Sequence, residues 1–177
     1  ISTSIEELGD NKINLIYRID LGEKAKISKI KFNGNKQFKD KKLRSVIVSE
    51  EYKFWKFISG KKFLNKELIE FDQRLLKNFY LNNGYYNVEI NSSFAKMFDQ
   101  SSFELIYNID AKNKIYFNNL DLKLPKDFDE QNFSSLFDLF NDLKGKKYSI
   151  NSVKKILDKI DFITIKEEYK SLSSQVE

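Results

Sequence analysis

The side chains that most often carry out acid–base, nucleophilic and zinc chemistry are missing from this sequence. Its 177 residues include no histidine and no cysteine, which removes the usual general base, the thiolate nucleophile and most zinc sites. Aspartate and glutamate remain, but they are scattered along polar faces without a recurring pair, and no glycine-rich phosphate loop is present. We therefore expect no enzymatic activity, no metal and no cofactor.

The net charge of +5 raises the question of nucleic acid binding. Interfaces with nucleic acids draw on arginine for bidentate contacts, and this chain has only Arg18, Arg44 and Arg74 among its 31 basic residues. The lysine excess is instead typical of a solvated surface. The absence of cysteine suits the cytosol and a periplasm-like compartment equally. We expect no nucleic acid partner.

The chemistry that this sequence can offer is hydrogen bonding by the backbone of an exposed strand. Over residues 86–98, side chains alternate in the way that is typical of a strand with one face on the core. At the edge of a sheet, its outer N–H and C=O groups could pair with an added strand from another chain. The alternative is a solvated edge protected from aggregation by a lysine. The candidate partner-binding residues are Tyr86, Val88, Ile90, Ser92, Phe94, Lys96 and Phe98.

A tandem repeat sets the domain organisation. The block LIYRID at residues 15–20 returns as LIYNID at residues 105–110, which indicates a unit of about 90 residues used more than once. The repeat register divides the chain into three parts. Residues 1–22 are expected to be the C-terminal strands of a preceding unit, residues 23–111 a complete unit, and residues 112–177 a unit truncated before its last strand.

Hydrophobic periodicity predicts the order strand, helix, helix, strand, strand in the complete unit. The first strand ends in an Asn-Gly-Asn turn at Gly34, and the second helix starts behind Asn65 as its N-cap and closes at Gly84. Gly34 and Gly84 are thus expected to be structural hinge residues. The last strand should be central, parallel to the first through the helical crossover and antiparallel to the second through a hairpin, which leaves the second at an edge.

Three further predictions concern aromatic residues and the last unit. The aromatic connection at Phe54, Trp55 and Phe57 is expected to pack beneath the helices, with a docking patch as the alternative. Of Tyr85 and Tyr86, one should enter the core and one the surface. Residues 112–177 should repeat the order with a first strand at 114–124, a shorter second helix and a strand that enters at a different angle.

These features together resemble POTRA domains, the polypeptide-transport-associated modules of the Omp85 family. The resemblance rests on the β-α-α-β-β order, the FNGN end of the first strand at residues 32–35 and the segment FYLNNGYY at residues 79–86. The connection that contains Trp55, followed by Lys62 and Phe63, falls in the same order as in such domains. The resemblance implies an α+β fold of tandem POTRA units, each a three-stranded mixed sheet with two helices on one face.

The resemblance also implies a location and partners. It places this region on the periplasmic side of the outer membrane, in an assembly factor for outer-membrane β-barrels. The implied partners are unfolded outer-membrane protein precursors, accessory lipoproteins and a C-terminal membrane barrel of the same chain. The alternative is an interaction scaffold without client handling, such as an FtsQ-like division protein or a two-partner-secretion or TamA-type transporter. FtsQ-like proteins carry one unit and two-partner-secretion transporters carry two, whereas this chain touches three, which favours the assembly factor or a relative such as the translocation factor TamA.

Overall fold

The chain folds into two β-sheets and four α-helices over the part that a computed structural model describes, residues 2–9, 12–19, 24–55, 60–96, 101–124 and 128–167. Two short 3-10 helices lie at Gly60–Lys62 and Glu130–Phe133. No helix in these ranges is long and apolar enough to cross a membrane. The elements in chain order are β1 (Ser2–Gly9), β2 (Lys12–Arg18), β3 (Lys26–Asn33), α1 (Asp40–Arg44), α2 (Lys66–Leu81), β4 (Glu89–Lys96), β5 (Ser102–Asp110), α3 (Ser134–Leu143) and α4 (Ile150–Lys166).

The central sheet has the strand order β3-β5-β4. β5 lies in the middle, parallel to β3 and antiparallel to β4, with Leu105 opposite Ile30 on one side and opposite Phe94 on the other. The parallel pair is joined by a crossover that contains α1 and α2, as parallel pairing requires. The predicted α+β class and the predicted edge position of the second strand are therefore confirmed.

Both crossover helices pack on the core of this sheet. Leu43 of α1 and Leu76 of α2 are fully buried with Ile27, Ile30 and Leu105 of the strands. Burial of one such side chain contributes about 1.5–3 kcal/mol, so this shared core holds the crossover on the sheet.

The N-cap predicted for the second helix is present. The Asn65 side chain accepts a hydrogen bond of 2.8 Å from the N–H of Leu68, which satisfies a donor that the first turn of α2 leaves free. At the other end of the helix, Gly84 has a φ of +96°, in the left-handed region that the sequence predicted for it.

Residues 112–167 differ from the prediction in two ways. The strand expected at 114–124 is absent apart from one antiparallel bridge between Tyr116 and Lys147, because no described strand lies beside it to form a ladder. The second helix is not shorter, since α4 has 17 residues and α2 has 16. The strand expected after α4 falls in residues 168–177, which lie outside the described residues. α3 and α4 instead share a small core around Phe133 and Leu136.

The first two strands form a separate antiparallel hairpin. Ile5 lies opposite Leu15, and the register shifts at a bulge between Glu7 and Gly9. Every residue of β1 and β2 is exposed. This hairpin therefore contributes nothing to the core of the central sheet.

Replacement of Gly34 by alanine should destabilise the central sheet. Gly34 has a φ of +73°, and a Cβ there would lie 2.4 Å from the carbonyl oxygen of Ile109. A left-handed alanine and a backbone clash together should lower the free energy of unfolding by about 2 kcal/mol or more, measured by urea denaturation. Gly60→Ala is the matched control because, apart from its neighbours in the chain, no described atom lies within 4 Å of its Cβ position. Equal stability of the two variants would contradict the assignment of Gly34 as a structural residue.

Candidate strand-binding edge

The outer edge of β3 is covered by the chain between α1 and α2. The N–H of Tyr52 donates to the carbonyl of Ile27 at 2.7 Å, and the N–H of Leu64 donates to the carbonyl of Ala25 at 2.8 Å. An antiparallel bridge joins Lys26 and Phe63 beside these bonds. We call residues 48–55 and 60–64 the edge cover, since their groups satisfy the backbone that an edge strand would otherwise expose.

A charged pair extends the edge cover along β3. The Glu51 carboxylate accepts from the N–H of Ile30 at 3.0 Å and from the Arg44 guanidinium at 2.6 Å. The same guanidinium donates to the carbonyl of Ile30. Both backbone groups of Ile30 are thereby paired with side chains, so an incoming strand would have to displace two charge-assisted hydrogen bonds at this position.

Asp72 anchors the start of the edge cover to α2. It is completely buried, and its carboxylate accepts from the N–H of Val48 at 2.6 Å, from the N–H of Ser49 at 3.1 Å and from the Tyr107 hydroxyl at 2.8 Å. A buried carboxylate is stable only when donors of this kind surround it. Asp72 therefore ties three elements together: α2, the edge cover and the central strand β5.

Two tyrosines of the central-sheet core are buried, and burial raises the pKa of each hydroxyl. Burial, followed by the negative charge of Asp72, raises the pKa of Tyr107 well above its ordinary value. Burial also raises the pKa of Tyr80 to about 12, and its hydroxyl donates to the Asn35 side chain at 2.8 Å. Both hydroxyls are neutral in the folded protein at every physiological pH.

The outer edge of β4 is open, in contrast to that of β3. Within the described part of the chain, no group outside β5 forms a hydrogen bond with the backbone of residues 89–93. Ile90 packs against the core, whereas Glu89, Asn91 and Ser93 are exposed. Since an edge strand in an antiparallel pair turns every second residue's N–H and C=O away from its neighbour, β4 presents a row of free backbone groups.

The structure distributes the seven predicted partner-binding residues unevenly. Ile90, Ser92, Phe94 and Lys96 lie in β4, while Phe98 lies outside the described residues. The prediction that the strand starts at residue 86 is wrong. The N–H of Val88 donates to the carbonyl of Tyr85 and closes a turn, so the ladder begins only at Glu89. The Val88 side chain is itself in the core.

The prediction that one of Tyr85 and Tyr86 is buried and the other exposed is confirmed. Tyr85 is 4% exposed and Tyr86 is 53% exposed. The Tyr86 ring packs edge-on against Tyr148, with 5.2 Å between centroids, and thus contacts the helical region that follows the central sheet. Tyr86 therefore lies at the junction between the two regions of the chain, beyond the end of the open edge.

Gly84 and two asparagines form the rest of this junction. The Gly84 carbonyl accepts from the N–H of Ile115 at 2.8 Å, and a Cβ on Gly84 would lie 2.7 Å from the Lys114 side chain. Asn82 accepts from the Ser149 hydroxyl at 2.8 Å, and Asn83 accepts from the Lys147 ammonium at 2.8 Å. The end of α2 is thereby bonded directly to the start of the next region. The two hinge residues accordingly serve close backbone contacts, Gly34 with β5 and Gly84 with this junction.

The expectation that the aromatic connection packs beneath the helices is wrong. Phe54 is 71% exposed and Trp55 is 59% exposed, while Phe57 lies outside the described residues. The edge cover bonds to the outer edge of β3 instead of crossing the sheet face, so Phe54 and Trp55 lie away from the core. Phe54 and Trp55 therefore lie at the surface, and the alternative of a docking patch stays a prediction.

Sequence reasoning missed the polar residues that hold the edge cover, Asp72 and Glu51. Asp72 lies on the buried face of α2 with Ile69, Leu76 and Tyr80, and a carboxylate among apolar residues at helical spacing was the signal that could have found it. Glu51 carried no such signal. Among the described residues, no group of three or more histidine, cysteine, aspartate or glutamate side chains is placed to hold a metal ion.

The fold defines a class of small α+β modules. Their elements follow the order strand, helix, helix, strand and strand, and here one sheet edge is covered and the other is open. Residues 25–112 match the family POTRA, described as surface antigen variable number repeat. The chain belongs to the POTRA family.

The curated relatives are outer membrane protein assembly factors named BamA. The chain is 30% identical over 90 residues to BamA of Neisseria meningitidis serogroup B, and 34% identical over 84 residues to BamA of Buchnera aphidicola. These alignments cover 51% and 47% of this chain, but only 11% and 14% of the relatives. The chain thus spans a small part of the length of the proteins it matches.

Solved structures support the fold. Haemophilus influenzae BamA POTRA3-5 matches 99% of this chain and 64% of its own length, with a TM-score of 0.58 and 14% identity. POTRA1-2 of the periplasmic domain of Omp85 from Anabaena matches 88% of this chain and 89% of its own length, with a TM-score of 0.54 and 8% identity. At these identities the likeness establishes the fold alone.

The raised tyrosine pKa values predict a loss of stability in alkali. A group whose folded-state pKa is raised stabilises the fold fully below its unfolded pKa, here 10.0, and that contribution is lost as the pH rises through the folded value. The melting temperature should therefore fall between pH 10 and 12. Tyr107→Phe should make this fall shallower, although it lowers the melting temperature at neutral pH by removing a donor to Asp72.

The matched control is Tyr116→Phe, because Tyr116 is 59% exposed. Its alkaline slope should equal that of the unmodified chain, including the background from lysine titration. A slope in Tyr107→Phe that equals the control would contradict the assignment of Tyr107 as a buried, neutral hydroxyl bonded to Asp72.

Proposed function

We propose that this chain is part of the periplasmic region of an outer-membrane β-barrel assembly factor, and that it binds unfolded outer-membrane protein precursors by strand addition to β4. Membership of the POTRA family and the names of the curated relatives support the assembly role. The observation that carries the binding mode is the contrast between the two sheet edges. The β3 edge is paired at Ala25, Ile27 and Ile30, whereas residues 89–93 of the β4 edge have no described bonding group outside β5.

Strand addition through β4 is suited to clients of many sequences. The eight residues of β4 would pair with an extended segment of similar length through N–H and C=O groups that every residue carries. The exposed side chains next to those groups are Glu89, Asn91 and Ser93. Over residues 89–93 these exposed side chains are small or polar and form no apolar pocket, so recognition would rest on the backbone and would be tolerant of sequence.

The same geometry predicts weak and reversible binding. About half of the β4 backbone groups point away from β5, and each added hydrogen bond contributes a net ~0.5–1.5 kcal/mol. Ordering of an unfolded client and loss of its free motion oppose this gain, so we expect a dissociation constant of about 1 μM to 1 mM. A transient complex of this kind allows a client to be passed on to a membrane barrel.

The remaining partners follow from the family and extend the proposal. We place the chain on the periplasmic side of the cell outer membrane, linked to a C-terminal barrel of the same protein. Accessory lipoproteins of the assembly complex would dock on the same module, with β4 as a backbone platform for them too. The scaffold alternative shares the fold, and it differs in that β4 would not bind unfolded barrel precursors.

A proline scan of residues 90–93 tests the binding mode. Neighbouring residues direct their N–H alternately towards β5 and away from it, so proline should destabilise the fold at alternate positions only. At the intervening positions the fold should stay intact, with helix content and melting temperature nearly unchanged, while affinity falls by about tenfold or more. Affinity is measured by fluorescence anisotropy with a labelled peptide from a barrel strand.

The stable and the unstable proline variants are matched controls, because they carry the same substitution at neighbouring positions of the same strand. Unchanged peptide affinity in the stable variants would contradict strand addition at β4. Absence of binding to barrel-strand peptides by the unmodified chain would instead favour the scaffold alternative.

A further inference from the structure

The turn of the edge cover carries a cluster of aromatic and basic side chains. Residues 52–63 contain five aromatic residues and four lysines, with no aspartate or glutamate. In the described part of this segment, the Phe54 and Trp55 rings pack edge to face with 4.7 Å between centroids. We define the basic aromatic patch as Lys24, Lys26, Tyr52, Lys53, Phe54 and Trp55.

The lysines of the patch lie against its rings. The Lys53 ammonium lies 5.8 Å from the Trp55 ring centroid, and the Lys26 ammonium lies 5.3 Å from that of Tyr52. The Lys24 ammonium lies 5.5 Å from the ring centroid of Phe63, a residue next to the patch. Cations within about 6 Å of a ring face are attracted to it, so positive charge and exposed aromatic surface are held together here.

Within the described part of the chain, Lys24, Lys26 and Lys53 form no ion pair with a carboxylate. Of the carboxylates that directly precede Tyr52, Glu51 is bonded to Arg44 and to the backbone of Ile30, and Glu50 also has a partner. Among the described residues of the central sheet region, Phe54 and Trp55 are the most exposed aromatic side chains, at 71% and 59%. The patch therefore offers unbalanced positive charge beside apolar rings.

The charge of the basic aromatic patch and the chemistry of its rings together indicate which kind of partner it binds. An acidic peptide would pair with the lysines but would leave the indole of Trp55 in water. The surface of an anionic phospholipid membrane accepts both, because tryptophan is favoured at the level of the headgroups and lysines are attracted to anionic lipids. We propose that the basic aromatic patch binds the surface of an anionic phospholipid membrane, with Phe54 and Trp55 at the headgroup level.

This surface goes beyond the proposed strand addition and does not depend on it. The patch belongs to the cover of the β3 edge, whereas the open edge is β4, on the other side of β5. Contact with a membrane at the patch would leave the β4 backbone accessible. The two sites can therefore be tested and can fail separately.

Trp55 provides a specific probe because it is the sole tryptophan of the chain. Its emission should shift to the blue when the full chain is mixed with vesicles of phosphatidylcholine that contain about 30% phosphatidylglycerol, and brominated acyl chains should quench it. The shift should be much smaller with vesicles of phosphatidylcholine alone and should weaken as the salt concentration rises.

Charge reversal provides the matched comparison. Lys24→Glu with Lys53→Glu should weaken vesicle partitioning by about tenfold or more, as should Phe54→Ser to a smaller extent. Lys154→Glu with Lys155→Glu is the control, since both lysines are exposed on α4 and the change in net charge is the same. The control should partition much more strongly than the patch variant.

Three outcomes would overturn the proposal. One is unchanged Trp55 emission with anionic vesicles, even if the chain sediments with them. Another is equal weakening by the patch variant and the α4 control, which would assign binding to net charge alone. The third is a blue shift with polyglutamate and none with vesicles, which would assign the patch to an acidic protein.

Discussion

The structure depends on a difference between the two edges of one small sheet, since one edge is hydrogen-bonded to the chain itself and the other is open. A three-stranded sheet exposes two rows of backbone groups, and each free row is a site for pairing with another chain. Here the crossover between α1 and α2 returns along β3 and bonds to the carbonyls of Ala25 and Ile27, and the Arg44–Glu51 pair bonds both backbone groups of Ile30. Asp72 fixes the start of that cover from within the core. Among the described residues of this sheet, β4 is the more open edge, so the position of a buried carboxylate helps to decide where the module can bind.

Local patterns were sufficient to predict the elements of the central unit and their pairing. The apolar spacing of α2, its Asn65 cap and the left-handed Gly84 depend on neighbours in sequence, and a parallel pair needs a helical crossover. The prediction of a strand at residues 114–124 was wrong because it too rested on a local pattern alone. Alternation identifies a segment that can be a strand, but a ladder exists only where a second strand lies alongside, and none of the described residues supplies one.

The candidate site was less predictable, because its limits are set by contacts between distant residues. Val88 alternates like a strand residue, yet its N–H is used in a turn. Tyr86 and Gly84 contact the helical region that follows, where Tyr148 and Ile115 are more than 25 residues away in sequence. Trp55 was expected in the core because its neighbours are aromatic, but the edge cover follows the rim of the sheet. No local pattern distinguishes a segment that crosses the core from one that follows its rim.

The central claim is that β4 gains a neighbouring strand when a client binds, and amide hydrogen exchange measures this directly. Exchange of the β4 amides, Glu89–Lys96, should be recorded by NMR in the chain alone and with a saturating barrel-strand peptide. Every second amide of β4 should exchange fast in the free chain and become protected with the peptide, while the amides of β3 should not change. Protection that appears on β3, or on no strand while the peptide is bound, would contradict the central claim.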